Sequence, residues 1–339
     1  MSASPTRTPR TTPTARHPQS TTRAPHRTTP PHHPTPLTRT VPKEYVHRAA
    51  IAEVLLTGWE RRSTDRYTVT GQWPRRHPFY TPLDGHHDPL LVAETVRQAG
   101  LLLAHTEYHV PLTHHFLMWD LTINTNPTHL HQGPTPPTIT IDATCTDIKH
   151  RATHLAGFRL NTTLHRDGHP AATTTASFTC VSPAVHQRLR APHTHPHQPP
   201  LTPPPPTHPH HVGRTHPDDV VLSPTPTPHH WQLRTNTHHP TLFDHPLDHT
   251  PGMLLIEAAR QATTAHHNHH PPTHPDPHHI THLTATFHRY AELHLPTHIH
   301  TTHTPHPNHT HTHTTHTTGT QNNTTIYTTT ITTTPHPTA

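Results

Sequence analysis

Asp88-Pro-Leu-Leu-Val-Ala-Glu-Thr-Val-Arg-Gln-Ala99 and Pro251-Gly-Met-Leu-Leu-Ile-Glu-Ala-Ala-Arg-Gln-Ala262 are one stretch written twice. In each, a Pro opens an apolar run, and Glu-x-x-Arg-Gln-Ala follows at the same distance. Self-similarity of this kind marks one structural unit present in two copies.

Each copy reads as a buried helix. Asp88 is a good N-cap and Pro89 suits the first helical position, where no N–H is needed; Thr250 and Pro251 are expected to do the same in the second copy. Leu90, Leu91, Ala93 and Val96, continued by Leu101 to Leu103, leave the first helix apolar on nearly all sides, as in a helix surrounded by protein. Yet Glu94, Arg97 and Gln98 share one face at i, i+3 and i+4, and Glu257, Arg260 and Gln261 repeat them. Charges on so apolar a helix must be paired or used. Two readings stand side by side: a structural ion pair within each helix, or a pair of groups that act on substrate. The apolar positions change between the copies, whereas Glu, Arg and Gln do not.

Around the repeat the composition is unusual. The 339 residues have room for two ordinary domains, but only 28% are hydrophobic, and there are 46 Pro and 51 His. The apolar residues concentrate in 43–182 and 212–300. Residues 1–41 carry Arg7, Arg10, Arg16, Arg23, Arg27 and Arg39 without one acid and supply much of the net charge of +5; they read as a disordered, solvated tail rather than a nucleic-acid arm. There is no signal-like apolar core and no apolar run long enough to span a bilayer, so a cytoplasmic chain with no membrane partner is expected. Cys145 and Cys180 lie in apparent strands and read as reduced core thiols. The histidines are scattered through loops and tails with no metal-ligand spacing; adventitious metal affinity is expected, a dedicated metal or cofactor site is not.

Taken in order, strands are expected over 49–59 and 66–73, then the helix to about His105, then strands over 116–123, 138–148, 152–165 and 171–181, with a hairpin at Arg166-Asp167-Gly168. Ser182-Pro183 caps a short helix to Arg190. A Pro/His linker follows over 191–211, too stiff and polar to join a core. The plan then restarts: Val212-Gly-Arg214 with Asp218-Asp-Val-Val-Leu222 echoes Val46-His-Arg48 with Ala52-Glu-Val-Leu-Leu56. Strands are expected over 231–235 and 280–293, and the Thr/His tail over 296–334 completes the second sheet poorly. The fold class is therefore α+β, a tandem double hotdog: domains at 42–190 and 212–334, each a long helix wrapped by an antiparallel sheet, paired as a pseudo-dimer within one chain.

At this point a family resemblance enters. His47-Arg48, the stretch from Asp88 to Gly100 and Phe116-Leu-Met-Trp-Asp120 resemble the first half of the A-factor biosynthesis hotdog proteins. Asp218 to Leu222, His239-Pro, Leu242-Phe-Asp-His-Pro-Leu-Asp-His249, Pro251-Gly-Met and Phe287-His-Arg-Tyr-Ala-Glu-Leu293 resemble the second half, so the match covers roughly residues 42–295. The resemblance implies an enzyme that takes a β-ketoacyl thioester from acyl carrier protein and transfers the acyl group to the hydroxyl of dihydroxyacetone phosphate. That is the first step towards the γ-butyrolactone signals of actinomycetes, which control antibiotic production and development.

Such a transfer needs a base for the hydroxyl, donors for the developing oxyanion and a cation for the phosphate. A Glu in an apolar setting has a raised pKa, so Glu94 and Glu257 are the candidate bases. The amides near Gly252 and Met253 are candidate oxyanion donors at an electropositive helix end. Arg260 or Arg97 is the candidate phosphate grip, with Gln98 and Gln261 beside them. His249 and Asp248, just ahead of the second helix, either line the pocket or merely order the loop. With no Ser or Cys beside a base, direct transfer is expected, with the chemistry on the second helix and Glu94 facing it. A dehydratase or thioesterase of the same fold, and a degenerate paralogue that only binds acyl ligand, are the alternatives. Hotdog dehydratases use a His about nine residues ahead of the helix-opening Gly, where this chain has Phe243, and Tyr80 in the first copy.

Overall fold

The computed structural model describes residues 39–152, 154–191, 199–269, 278–306 and 309–335. The expected disordered tail lies outside these residues except for its last three, as do 192–198 of the linker. The first half runs β1 (Leu56–Ser63), β2 (Arg66–Gln72), α1 (Pro89–Thr106), β3 (His115–Thr125), β4 (Thr138–Arg151), β5 (His154–Arg166), β6 (His169–Val181) and α2 (Pro183–Arg190). The second runs β7 (Leu222–Pro224), β8 (His230–Leu233), α3 (Gly252–His269), β9 (His278–Phe287), β10 (His298–His306), β11 (His309–Gln321) and β12 (Thr324–Pro335).

All twelve strands form one antiparallel sheet, ordered β1-β2-β4-β5-β6-β3-β9-β12-β11-β10-β8-β7. Replacing each strand of the first half by its counterpart in the second reverses this order onto itself. The fold is thus a tandem hotdog, closed at its centre by β3 against β9 with Leu121 opposite Ala285 and Ile123 opposite Leu283. No helix among the described residues is long and apolar enough to cross a membrane.

Local chemistry sets these elements. Asp88 caps α1 by accepting the amide of Leu90 at 2.8 Å, and Ser182 caps α2. Asp167 and Gly168 both take positive φ, which turns β5 tightly into β6. Several expectations are corrected. Residues 49–55 are not strand: a short 3-10 turn at Ile51–Glu53 precedes β1. The long strand expected over 280–293 ends at Phe287, and the chain turns off so that Glu292 bridges to His249. The described part of the linker does join the fold. Thr207 donates its amide to Leu222 just as Val41 does to Leu56, so this Pro-rich segment repeats the lead-in of the first half.

The Thr/His tail forms three full strands. Its inward positions carry Ile299, Ile326, Tyr327 and Ile331, interleaved with buried Thr315, Thr317, Thr329 and Thr333. The first half fills equivalent layers with Ile139, Ile141, Phe158, Leu160 and Leu164. A threonine keeps the branched shape that suits a strand, but its hydroxyl needs a partner. In the first half, Thr162 and Thr174 stand opposite each other and bond at 2.7 Å. In the second, Thr317 and Thr329 stand opposite each other, and neither hydroxyl has a partner. Replacing both by valine should therefore raise stability, by about 1–2 kcal/mol, because a buried unsatisfied hydroxyl is exchanged for an isosteric methyl. Chemical denaturation checks this; a lower midpoint would show that the hydroxyls are satisfied in solution.

Candidate active site

The signature on each long helix builds a closed charge cluster. Glu94 is 1% exposed. It receives Arg48 Nε and Nη2 at 3.1 and 2.7 Å, Arg97 Nε and Nη2 at 3.0 and 2.9 Å, and Gln98 Nε2 at 2.7 Å. Glu257, fully buried, receives Arg214 Nε at 3.0 Å, with Arg214 Nη2 in ion-pair contact at 2.7 Å, Arg260 at 2.9 and 2.6 Å, and Gln261 at 2.5 Å. Gln98 also donates to Glu53 O and accepts the Leu55 amide, while Gln261 does the same with Asp219 O and the Val221 amide. Each arginine from the lead-in then crosses to the other half: Arg48 donates to Thr241 O at 3.2 Å, and Arg214 to Phe79 O. The two halves are tied reciprocally.

This geometry corrects the expected chemistry of the helix acids. Burial alone would push the Glu94 carboxyl up, but the charges and hydrogen bonds of Arg48 and Arg97 outweigh it and hold it at about 2. Arg214 and Arg260 do the same to Glu257. Neither acid is a base poised near neutrality. Arg260, expected as a phosphate grip, is spent on Glu257 and does not reach the cavity; Gln98 and Gln261 bond backbone. Spacing within each helix pairs Glu with Arg but does not show the second arginine. The echo of Val46-His-Arg48 in Val212-Gly-Arg214 was the signal that held it.

A cavity of about 560 Å³ opens beside the first cluster. Arg48 and Arg97 line it, as do Pro251, Gly252 and Met253 at the start of α3. Leu101, Met118, Phe178, Leu255 and Phe287 give it an apolar depth. The repeat explains why the pseudo-equivalent place is filled. Where Arg48 meets the small Thr241, Arg214 meets Phe79 and lies 4.3 Å from the centre of its ring. The start of α1 is sealed by the Asp88 carboxylate, whereas Thr250 does not cap α3 as expected: its hydroxyl has no hydrogen-bond partner. The first amides of a helix have no carbonyl one turn earlier, so those of Gly252 and Met253 remain donors at the cavity wall.

His249 lines the same cavity. Its Nδ1 lies 2.6 Å from Asp248 Oδ1, Arg190 Nε donates to Asp248 Oδ2 at 2.8 Å, and the other two nitrogens of Arg190 bond both oxygens of Glu292 at 2.7 Å. The Tyr290 ring packs between, 4.7 Å from the imidazole and 4.4 Å from the guanidinium. Burial would raise the Asp248 carboxyl, but hydrogen bonds from His249 and Arg190 hold it well below the usual range. Asp248 therefore stays ionised and orients the imidazole. Arg190 lies far away in sequence at the end of α2, and no spacing pointed to it. Cys145 and Cys180 are free and buried, and burial pushes their thiols up to about 11 and about 12, so neither is a nucleophile at neutral pH.

The A-factor biosynthesis hotdog domain matches residues 29–182 and again 192–337. The chain is 47% identical over 265 residues to the 2-oxo-3-(phosphooxy)propyl 3-oxoalkanoate synthase of Streptomyces virginiae, covering 77% of this chain and 86% of that one. It is 38% identical to the synthase of the same name from Streptomyces coelicolor, over 79% of this chain and 83% of that one. With the Streptomyces griseus synthase it shares 42% identity over 65% of this chain and 73% of the relative.

The charge clusters set an acid limit on the fold. A carboxyl at about 2 when folded, against its ordinary value of 4.5, adds stability above pH 4.5 that is lost as pH falls towards 2. Glu257→Gln leaves Arg214 and Arg260 buried without a counter-ion and should cost about 3–5 kcal/mol at pH 7. Urea titrations at pH 7 and pH 4 should show that loss, together with a shallower decline on acidification than in the unaltered chain.

Proposed function

Because the chain belongs to the A-factor biosynthesis hotdog family, we propose that it transfers a 3-oxoacyl group from an acyl carrier protein thioester to the hydroxyl of dihydroxyacetone phosphate. The product would be a 2-oxo-3-(phosphooxy)propyl 3-oxoalkanoate, the compound named in its relatives. The observation that carries this reading is the meeting, in one cavity, of the open start of α3, the Arg48–Arg97 wall and His249 held by Asp248.

The acyl chain lies in the apolar depth between Leu101, Phe178 and Leu255, with the thioester carbonyl oxygen towards the amides of Gly252 and Met253. His249 accepts the substrate hydroxyl proton as the oxygen attacks the carbonyl carbon; Asp248 holds its tautomer and balances the imidazolium. The tetrahedral oxyanion is stabilised by the helix amides, one such donor being worth about 3–4 kcal/mol. On collapse the C–S bond breaks, and the thiolate takes the proton from His249. Ester and free carrier thiol result, with no acyl-enzyme.

Phosphate is gripped by Arg48 and Arg97. Two guanidiniums share one carboxylate there, so the Glu94 cluster is left with one net positive charge facing the cavity. Glu94 acts in this scheme as the anchor that fixes Arg48 and Arg97, not as the base. Arg289, exposed on the cavity wall, adds a second cation.

Incubating the protein with a 3-oxoacyl carrier protein and dihydroxyacetone phosphate should yield the phosphorylated ester by mass spectrometry. Free acid or an enoyl product alone would instead identify a thioesterase or a dehydratase. His249→Ala should lower kcat by about 10²–10⁴ with the fold unchanged. Arg97→Ala should act mainly on KM for dihydroxyacetone phosphate. Full turnover by the His249 variant would remove it as the base.

A further inference from the structure

Three histidines from three separate elements meet at the far end of α3. His229 sits in the turn between β7 and β8, His266 near the end of α3 and His303 on β10. Their ring centres are 5.6, 5.3 and 3.4 Å apart, and one ring nitrogen from each lies within 4.8 Å of the other two. A chain with 51 histidines will bring some together by chance. Among the described residues, however, only this trio of candidate ligands converges so closely.

The internal repeat supplies a control that composition cannot. His229 has φ of 58° and its carbonyl accepts the Thr301 amide; Asp65 in the first half has φ of 57° and its carbonyl accepts the Cys145 amide. Counting from these anchors and from the paired glutamates, His229, His266 and His303 correspond to Asp65, Leu103 and Asp147. The same fold is built there around a buried leucine and a tyrosine–aspartate hydrogen bond, Tyr108 to Asp65. The scaffold therefore does not require imidazole at any of these places, yet all three carry it in the second half. His303 Nδ1 also lies 3.0 Å from the Thr315 hydroxyl, the kind of outer contact that fixes a ligating ring with its other nitrogen towards a metal.

We infer that His229, His266 and His303 form a site for a late first-row divalent cation, with Zn²⁺ the prime occupant, that clamps the end of α3 to β10 and the β7–β8 turn. Imidazole nitrogen selects zinc, cobalt, nickel or copper over magnesium and calcium. Bonds of about 2.0–2.1 Å require the three nitrogens to draw in to about 3.3 Å, and the His266 and His303 rings, stacked 9° from parallel, to turn so that their in-plane lone pairs meet at the ion. His229 is exposed and leaves a route for the ion. At about 1.5 Å per residue the site is roughly 20 Å along α3 from Gly252, so its role is structural rather than catalytic. It would staple the half of the sheet whose core has threonine in place of aliphatic residues. The sequence gives no sign of it, because three ligands so far apart in the chain form no spacing motif.

The test uses the full chain after chelator treatment, titrated with Zn²⁺ against a chromophoric chelator. One equivalent should bind at least about 10-fold more tightly than the remainder and raise the melting temperature. His266→Leu/His303→Gln, which restores the leucine of the first half at one position, should abolish that step, and His229→Gln alone should weaken it in an otherwise unaltered core. His129→Gln/His169→Gln, removing a stacked pair elsewhere, should leave it intact. No stoichiometric step in the unaltered chain, or one that survives in His266→Leu/His303→Gln, means an adventitious ion only and overturns the inference.

Discussion

A carboxylate shut away from water and shared by two guanidiniums and a carboxamide is the interaction on which the rest depends, and the chain makes it twice. A buried charge left without partners costs several kcal/mol, so each cluster forms completely or the helix cannot stay inside. Completion draws on residues from far apart as well as from the helix itself: Arg48 joins Arg97 and Gln98 around Glu94, and Arg214 joins Arg260 and Gln261 around Glu257. The same bonds fix the lead-in to β1 and β7 on the long helices. Because Arg48 also reaches Thr241 O and Arg214 reaches Phe79 O, each half completes its own cluster against the other.

Symmetric scaffolding has been put to asymmetric use. Asp88 seals the start of α1 and Phe79 fills the space beside Arg214, while Thr250 and Thr241 leave the opposite place open. A duplicated unit can keep one copy as structure and let the other hold a ligand. The signature itself gives no sign of this, because Glu, Arg and Gln do the same mechanical work in both copies. What differs is one capping residue and one side chain beyond a carbonyl.

The two halves also solve the core differently. The first packs aliphatic and aromatic side chains on α1; the second surrounds α3 with threonine strands and a handful of isoleucines. Threonine holds strand geometry through its branched β-carbon and still fills space with its methyl, which is why a stretch so poor in apolar residues completes a sheet. The seam between β3 and β9 then shares one continuous hydrogen-bonded surface between a well-packed half and a sparser one.

Local chemistry was enough for much of this. Periodicity marked both long helices, Asp88 marked the start of the first, the Asp167-Gly168 turn marked its hairpin, and the repeat together with the family's motifs gave a tandem hotdog. These are properties of short stretches, and short stretches are legible in a sequence. The charge state of Glu94 and Glu257 was not, because it depends on arginines about forty-five residues away that reverse the effect of burial. Nor was the cavity beside Arg48 and Arg97, the Arg190 clamp behind Asp248, or the convergence of His229, His266 and His303. Each is a meeting of side chains brought together by the paired halves and their shared sheet, and only the folded chain decides who meets whom.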